Sequence, residues 1–473
     1  MPEGPSSDTV KSLLERGRDL HRSGRLEEAE AVYGDVLRGS PDEFDALYAV
    51  AIIAAQKGRL DRAEELIAKA LAVSPDHAEA QFNRGGLLFH LKRLDEALES
   101  FDSVVALEPG FAPAHFSRGL VLHRLGRAEQ ALESYDRSIG LAPDLAEAYL
   151  ERANAQKDLG RFDDALASID AFIGRKPGQA VAHNNRANLL KELGRDQEAL
   201  ADYDRAIALA PDDASAHYNR GNLLKDLDRP EEALEAYDRV IELNPDDPMT
   251  HNNRGNVLRE LMRPDDAVAS YRRAIALDPD HVQAHYNLSH CCLAMGDYAT
   301  GWKEYEWRWR EAQQAHRRRD FEQPLWLGGD GLEGKTILLH AEQGLGDTLQ
   351  FCRYAKSVAD RGARVLLEVP GPLMGVLGGL DGPDRLIAKG EPLPAFDCHC
   401  PLLSLPLAFA TTVETIPAPR TYIAADPDRV AAWRDRLGAK DMPRVGLAWR
   451  GNPENGSDSS RSMGLALMSR LCT

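Results

Sequence analysis

The sequence has little cysteine, and its placement argues against cross-linking. Six cysteines occur in 473 residues, at Cys291, Cys292, Cys352, Cys398, Cys400 and Cys472. Their spacing matches neither a zinc pattern nor a disulfide framework. Cys398-His399-Cys400 is the one close cluster. It lies in a strand-like run, where alternation puts both thiols on one face and His399 on the other. Buried thiols, rather than a metal site, are expected there. No run of about 18 apolar residues occurs, so no membrane span is expected. The opening MPEGPSSDTV lacks the charged and apolar regions of a secretory signal. Reduced thiols without an export signal point to the cytoplasm. Basic residues are in deficit: Lys plus Arg is 57, Asp plus Glu is 75, and the formal charge is −18. Such a chain is poorly suited to gripping nucleic-acid phosphates, and the local run HRRRD at 316–320 does not change that. The hydrophobic content and mixed charge exclude global disorder, and the length gives room for two or three domains.

What is present, over the first three hundred residues, is a period of 34. Prolines fall at Pro41, Pro75, Pro109, Pro143, Pro177, Pro211, Pro245 and Pro279. Alanines keep the same step from Ala29 to Ala267, and a Gly-Arg turn recurs from Gly24-Arg25 to Gly194-Arg195. Lys92-Arg93, Asp228-Arg229 and Met262-Arg263 stand in for that turn in other units. A unit such as AHYNRGNLLKDLDRPEEALEAYDRVIELNPDD, 216–247, contains two amphipathic helices. Gly221 and Ala233 are small where the helices approach, and Tyr237 fills the space beside them. Proline closes the unit because it cannot continue a helix interior. One helix pair cannot cover its own apolar face, so neighbours stack into a solenoid.

This spacing resembles the tetratricopeptide repeat, with eight full units over residues 10–278. A ninth, HVQAHYNLSHCCLAMGDYATGWKEYEWRWREA, departs from it: Gly301 replaces the small alanine, and Trp302, Trp307 and Trp309 add bulk. Those aromatics are expected to pack on whatever follows. Asn83, Asn185, Asn219, Asn253 and Asn287 share one position of the first helix, and Asn154, Asn188, Asn222 and Asn256 lie three residues on in their units. Residues three apart share a helix face. Two readings are open. The amides line the concave side and hold the backbone of a protein or peptide ligand, or they bridge adjacent helices. Units such as HNNRANLLKELGR resemble the repeats of protein O-GlcNAc transferases, and that resemblance implies the first reading.

Beyond RRRDFEQPLWLGGDGLEGK the period stops. Short apolar runs then alternate with helical patterns. TILLHA, RVLLEV, DRLIAKG, FDCHCPLL and RVGLAW read as strands; DTLQFCRYAKSVADRG, PLMGVLGGL and DPDRVAAWRDRLGA read as helices. Such alternation predicts a parallel α/β sheet, with ligands beyond the carboxyl ends of its strands. The loop HAEQGLGDTLQF, 340–351, sits at that place. It lacks the Gly-Lys-Ser/Thr of a P-loop, and Leu349 holds the third glycine position of a dinucleotide fingerprint. Asp347 is therefore either a helix cap or a carboxylate at a ligand crevice, suited to general-base work.

PLWLGGDGLEGKTILLHAEQGLGDTLQFCRY and RVGLAWRGNP resemble glycosyltransferase family 9, the heptosyltransferase-like group. The resemblance covers about residues 320–465. It implies a GT-B architecture whose first, Rossmann-like domain holds the acceptor. It also implies Asp347 as catalytic base, Gly344, Gly346 and Gln350 beside the substrate, and a nucleotide-sugar donor bound by a second domain. RSMGLALMSRL resembles the first helix of that second domain, so an incomplete, inactive transferase is expected. The expected organisation is a flexible N-terminus (1–9), an all-α solenoid (10–313), a linker (314–335) and a Rossmann-like half of a GT-B fold (336–473). The alternative is a protein-binding scaffold without catalysis.

Overall fold

The computed structural model describes residues 7–311, 315–329, 331–419 and 421–438. The strand expected at 444–449, the helix-like run 461–471 and Cys472 lie outside them. The chain divides into two compact units, Met1–His281 and Val282–Thr473. The ninth helix pair therefore belongs to the second unit, whereas the sequence pattern groups it with the repeats.

Among the described residues the first unit is a row of eight antiparallel helix pairs, from Ser7–Arg22 with Leu26–Gly39 to Pro248–Glu260 with Pro264–Leu277. The pairs are cut to fit inside. A Cβ on Gly119 would lie 2.5 Å from the ring of Tyr135, and one on Gly255 would lie 2.5 Å from Tyr271. Where the first helix carries Ala51 or Ala153, the second offers the smaller Ile67 or Ile169 at the same offset, all of them buried. Ala187 with Tyr203 is a mixed case. Close packing of this kind leaves no slack for an added methylene. The turn between helices needs a left-handed residue. Glycine supplies it at φ +69° to +74° in five units, and Lys92, Asp228 and Met262 adopt φ +57° to +61° in three others. The sequence stand-ins thus take up a conformation that costs an L-residue about 1–2 kcal/mol.

The second unit opens with the helices Val282–Met295 and Tyr298–Tyr305 and a 3₁₀ turn, Glu306–Trp309. Among the described residues a parallel four-stranded sheet follows: β1 (Thr336–His340), β2 (Arg364–Val369), β3 (Arg385–Ala388) and β4 (Cys398–Pro401), in the order β3-β2-β1-β4. Its strands are apolar because both faces are covered. On one face Ile337, Leu339, Cys398 and Cys400 join the main core; on the other Leu338, Leu366 and Ile387 pack against Phe321 and Phe396. His399 points to the second face, stacking edge-on against Phe321 at 4.8 Å. The single helix expected over 347–362 is two, Leu345–Phe351 and Tyr354–Ala359. At the break the Ala355 N–H bonds to Cys352 three residues back, and Arg353 reaches out to the Tyr422 hydroxyl at 3.0 Å. No described helix is long and apolar enough to cross a membrane.

Candidate functional site

Two sets of residues were singled out by sequence, one along the helix pairs and one in the loop after β1. In the repeats, all nine asparagines are half-buried, and most are already engaged. Asn188, Asn222 and Asn256 accept hydrogen bonds from the buried hydroxyls of Tyr203, Tyr237 and Tyr271, at 2.6, 2.7 and 2.9 Å. This column therefore supplies partners that buried tyrosines require. The other column reaches to the preceding repeat. Asn83 donates to Tyr48 at 2.5 Å, Asn219 to Asn184 at 3.1 Å and Asn253 to Tyr218 at 3.0 Å. Asn154 and Asn287 bond within their own helices, to Glu151 and from Gln283. Among the described residues Asn185 makes no side-chain hydrogen bond.

A second column escaped the sequence reading. Arg118, Arg152, Arg186, Arg220 and Arg254 each pair with an aspartate 16 positions earlier, on the preceding repeat: Asp102, Asp136, Asp170, Asp204 and Asp238, at 2.6–2.8 Å. Both columns carry the period of 34, and that was the available signal. Each pair is partly exposed and contributes at most about 1 kcal/mol, but the rungs recur at successive interfaces.

In the second unit the loop after β1 does several jobs at once. Asp347 stands at the third position of the helix Leu345–Phe351 and accepts from the Gly344 N–H at 3.1 Å. That is the back-reaching half of a capping box, so the capping role expected of Asp347 is present in a modified form. Gly344 has φ −70° and Gly346 is not in the left-handed region; a Cβ on Gly346 would meet nothing within 4 Å. Neither glycine is demanded by the backbone. Gln350 is exposed and lines a small cavity with Trp302 and Arg353, apart from Gly344.

The residues just before those glycines carry the stronger interactions. Gln343 donates to the Tyr305 hydroxyl at 2.7 Å. Tyr305 keeps the 34-residue step from Tyr271, so the hydroxyl that asparagines satisfy inside the array is met here by the loop. Glu342 is buried; one oxygen accepts from the Leu403 N–H at 3.1 Å and from Arg308 at 3.4 Å, while the other has no hydrogen-bond partner among the described residues. Burial pushes its carboxyl up to about 7, and the Arg308 charge offsets this only in part. Arg308 itself is wholly buried. It donates to Glu306 at 2.6 Å and to Ser404 Oγ at 2.7 Å, between the rings of Tyr305 and Trp309. Ser404 follows β4 and Glu342 follows β1, the neighbouring strands at which chain order reverses. In open α/β sheets that switch point is the customary ligand crevice; here a side chain of the protein itself occupies it. Trp302 meets Phe351 edge-on at 5.8 Å.

Two openings flank this plug. One, about 520 Å³, is lined by His316, Arg317, Arg319, Glu342, Gly344 and Lys389 among others. The other, about 400 Å³, lies over His340 and His399, with Trp309, Arg318 and Phe321 on its walls. His340 Nε2 and His399 Nδ1 are 3.2 Å apart. Burial, reinforced by His399, lowers His340 to about 3, so this imidazole is neutral at ordinary pH. Among the described residues no group of three or more metal-ligating side chains occurs.

Sequence models of the tetratricopeptide repeat match residues 14–74, 57–110, 97–146, 214–247, 248–281 and 270–303, and a TPR repeat model matches 187–228. The helical array is a tetratricopeptide repeat array. The chain is similar to protein FlbA of Caulobacter vibrioides, 28% identical over 184 residues. That match is 33% of this chain and spans only 30% of FlbA's own length. Among solved structures, YrrB, described as a TPR protein with an unusual peptide-binding site, is 22% identical with a TM-score of 0.35, covering 40% of this chain and 96% of that one. A tetratricopeptide repeat protein of Parabacteroides merdae is 20% identical with a TM-score of 0.40, covering 53% of this chain and all of that one.

Proposed function

We propose that the tetratricopeptide array is a binding module for an extended protein or peptide segment, received along the carboxamide row Asn185, Asn219 and Asn253. One observation supports this above others. The row at Asn188, Asn222 and Asn256 is explained by the tyrosines it satisfies, whereas Asn185 is half-buried with its amide unspent. A carboxamide offers two donors and two acceptor sites, so Asn219 and Asn253 also retain capacity beyond their bonds to the preceding repeat. Such groups suit a peptide backbone, which presents a donor and an acceptor per residue. The test is a peptide-display selection on the full chain, repeated with Asn185→Ala and Asn253→Ala. Selected peptides should lose about ten-fold or more in affinity while the melting transition of Asn185→Ala stays put. Selected peptides that bind both variants as well as the parent would end this reading.

A finer reading concerns the second unit. The all-parallel sheet and the half-exposed Asp347 on the helix after β1 support its comparison with the acceptor domain of a nucleotide-sugar glycosyltransferase, with Asp347 as base. In that reading Asp347 releases the Gly344 N–H when an acceptor hydroxyl arrives. Sugar transfer from a panel of nucleotide sugars should then disappear in Asp347→Asn with peptide binding intact. If the parent chain transfers no sugar, the second unit is a binding domain attached to the repeats.

A further inference from the structure

We infer that the opening of about 520 Å³ beside the loop after β1 is an anion site for a small organic phosphate, closed on one side by the basic run that precedes the sheet. The run HRRRD is anomalous in a chain of formal charge −18. It is also specifically placed. His316, Arg317 and Arg319 line the opening together with Lys389, one residue beyond β3, and with Glu342 and Gly344. The floor therefore lies beyond the carboxyl ends of β1 and β3, where parallel sheets take their ligands. The charges are not spent internally. Arg319 pairs with the buried Glu368, but Arg317 and Lys389 make no ion pair among the described residues. Two uncommitted cations match a phosphate monoester, which carries close to two negative charges at neutral pH. A concave wall of one sign also concentrates anions more than a flat surface does. The volume is in the range of small-ligand sites, roughly 300–1,000 Å³. Glu342 adds little opposing charge, because burial holds much of it protonated near neutrality. This inference needs neither the peptide role of the repeats nor the base role of Asp347.

Arg318 provides an internal control, because it lines the neighbouring opening instead. The experiment is calorimetric titration of the full chain with ribose 5-phosphate, inorganic phosphate and acetate at about 0.15 M ionic strength, where exposed charges are screened beyond ~8 Å. Saturable binding of ribose 5-phosphate is expected, weakened by about ten-fold or more in Arg317→Ala and in Lys389→Ala and by less than about two-fold in Arg318→Ala. Inorganic phosphate binding in the same pattern supports the site equally. The inference is overturned if no probe saturates, if acetate binds as well as the phosphates, or if Arg318→Ala loses as much as the other two. The three residues are exposed or at the rim, so unchanged melting curves separate lost binding from lost folding.

Discussion

The hydroxyl of Tyr237 donates to Asn222 at 2.7 Å, whereas the hydroxyl of Tyr135, three units earlier in the same place, is buried with no hydrogen-bond partner among the described residues. The reason lies fifteen positions upstream, where Tyr237 finds an asparagine and Tyr135 finds Leu120. The same substitution should therefore have opposite signs at the two sites. Tyr237→Phe removes the shorter of the two hydrogen bonds that the Asn222 carbonyl accepts, leaving the one from Asn253 at 3.3 Å, and should cost about 1 kcal/mol; Tyr135→Phe removes an uncompensated desolvation and should gain about as much. Urea midpoints followed by far-ultraviolet circular dichroism check both, and equal signs would count against the account.

Met262 holds φ +58° and is 84% exposed. Nothing in its packing offsets the left-handed strain, so Met262→Gly should stabilise the array by about 1 kcal/mol. The matched change Gly126→Ala, at φ +74°, should destabilise it by a similar amount. A pair of melting curves that move together would rule this out.

Arg308→Ala should loosen the second unit by about 3–5 kcal/mol, because it empties a wholly buried site and takes from Glu306, Ser404 and Glu342 the donor they share. All six tryptophans lie beyond residue 300. Their fluorescence therefore follows the second unit alone while circular dichroism is dominated by the repeats. The expected result is an early fluorescence transition with the helical signal largely retained.

Glu342 makes a pH prediction of definite sign. Its folded pKa, about 7, stands above the ordinary value of 4.5 for a glutamate, so the proton favours the folded state. The contribution is complete below about 4.5 and is lost as pH rises through about 7, an effect on the order of 3 kcal/mol. His340 works oppositely: its folded value of about 3 makes its contribution complete above about 6.5 and lost as pH falls. Glu342→Gln isolates the first of these. The stability difference between it and the parent should change between pH 4.5 and 7 and be flat below, by fluorescence-detected urea titration; a constant difference would refute the assignment.

The array and the sheet were legible because both are periodic. A step of 34 survives any single substitution, and strands such as RVLLEV are apolar enough to announce burial on both faces. Helix division at Cys352 was not legible, because nothing in DTLQFCRYAKS breaks a helix locally; the break coincides with a long-range contact, Arg353 to Tyr422, 69 residues on. Arg308 was hidden for the same reason. In EWRWR it is one of two arginines on an aromatic turn, and its burial depends on Glu342 and Ser404, 34 and 96 residues away. Asp347 and its glycines stood out by motif, while the residues next to them, Glu342 and Gln343, hold the last helix pair in place.

The close fit of Gly255 to Tyr271 and the pairing of Arg254 with Asp238 both span 16 residues, but they belong to different kinds of joint. The first joins two helices of one unit and is private to it, since a neighbour may use alanine and isoleucine instead. The second joins consecutive units and uses the same two residue types at five junctions. Units that meet through this pairing are therefore exchangeable at that joint, and a crossover falling between the two helices of a unit would mismatch sizes. Duplication or deletion in steps of 34 across those five junctions keeps the Arg–Asp pairing, so the array can change length there without redesign of that joint.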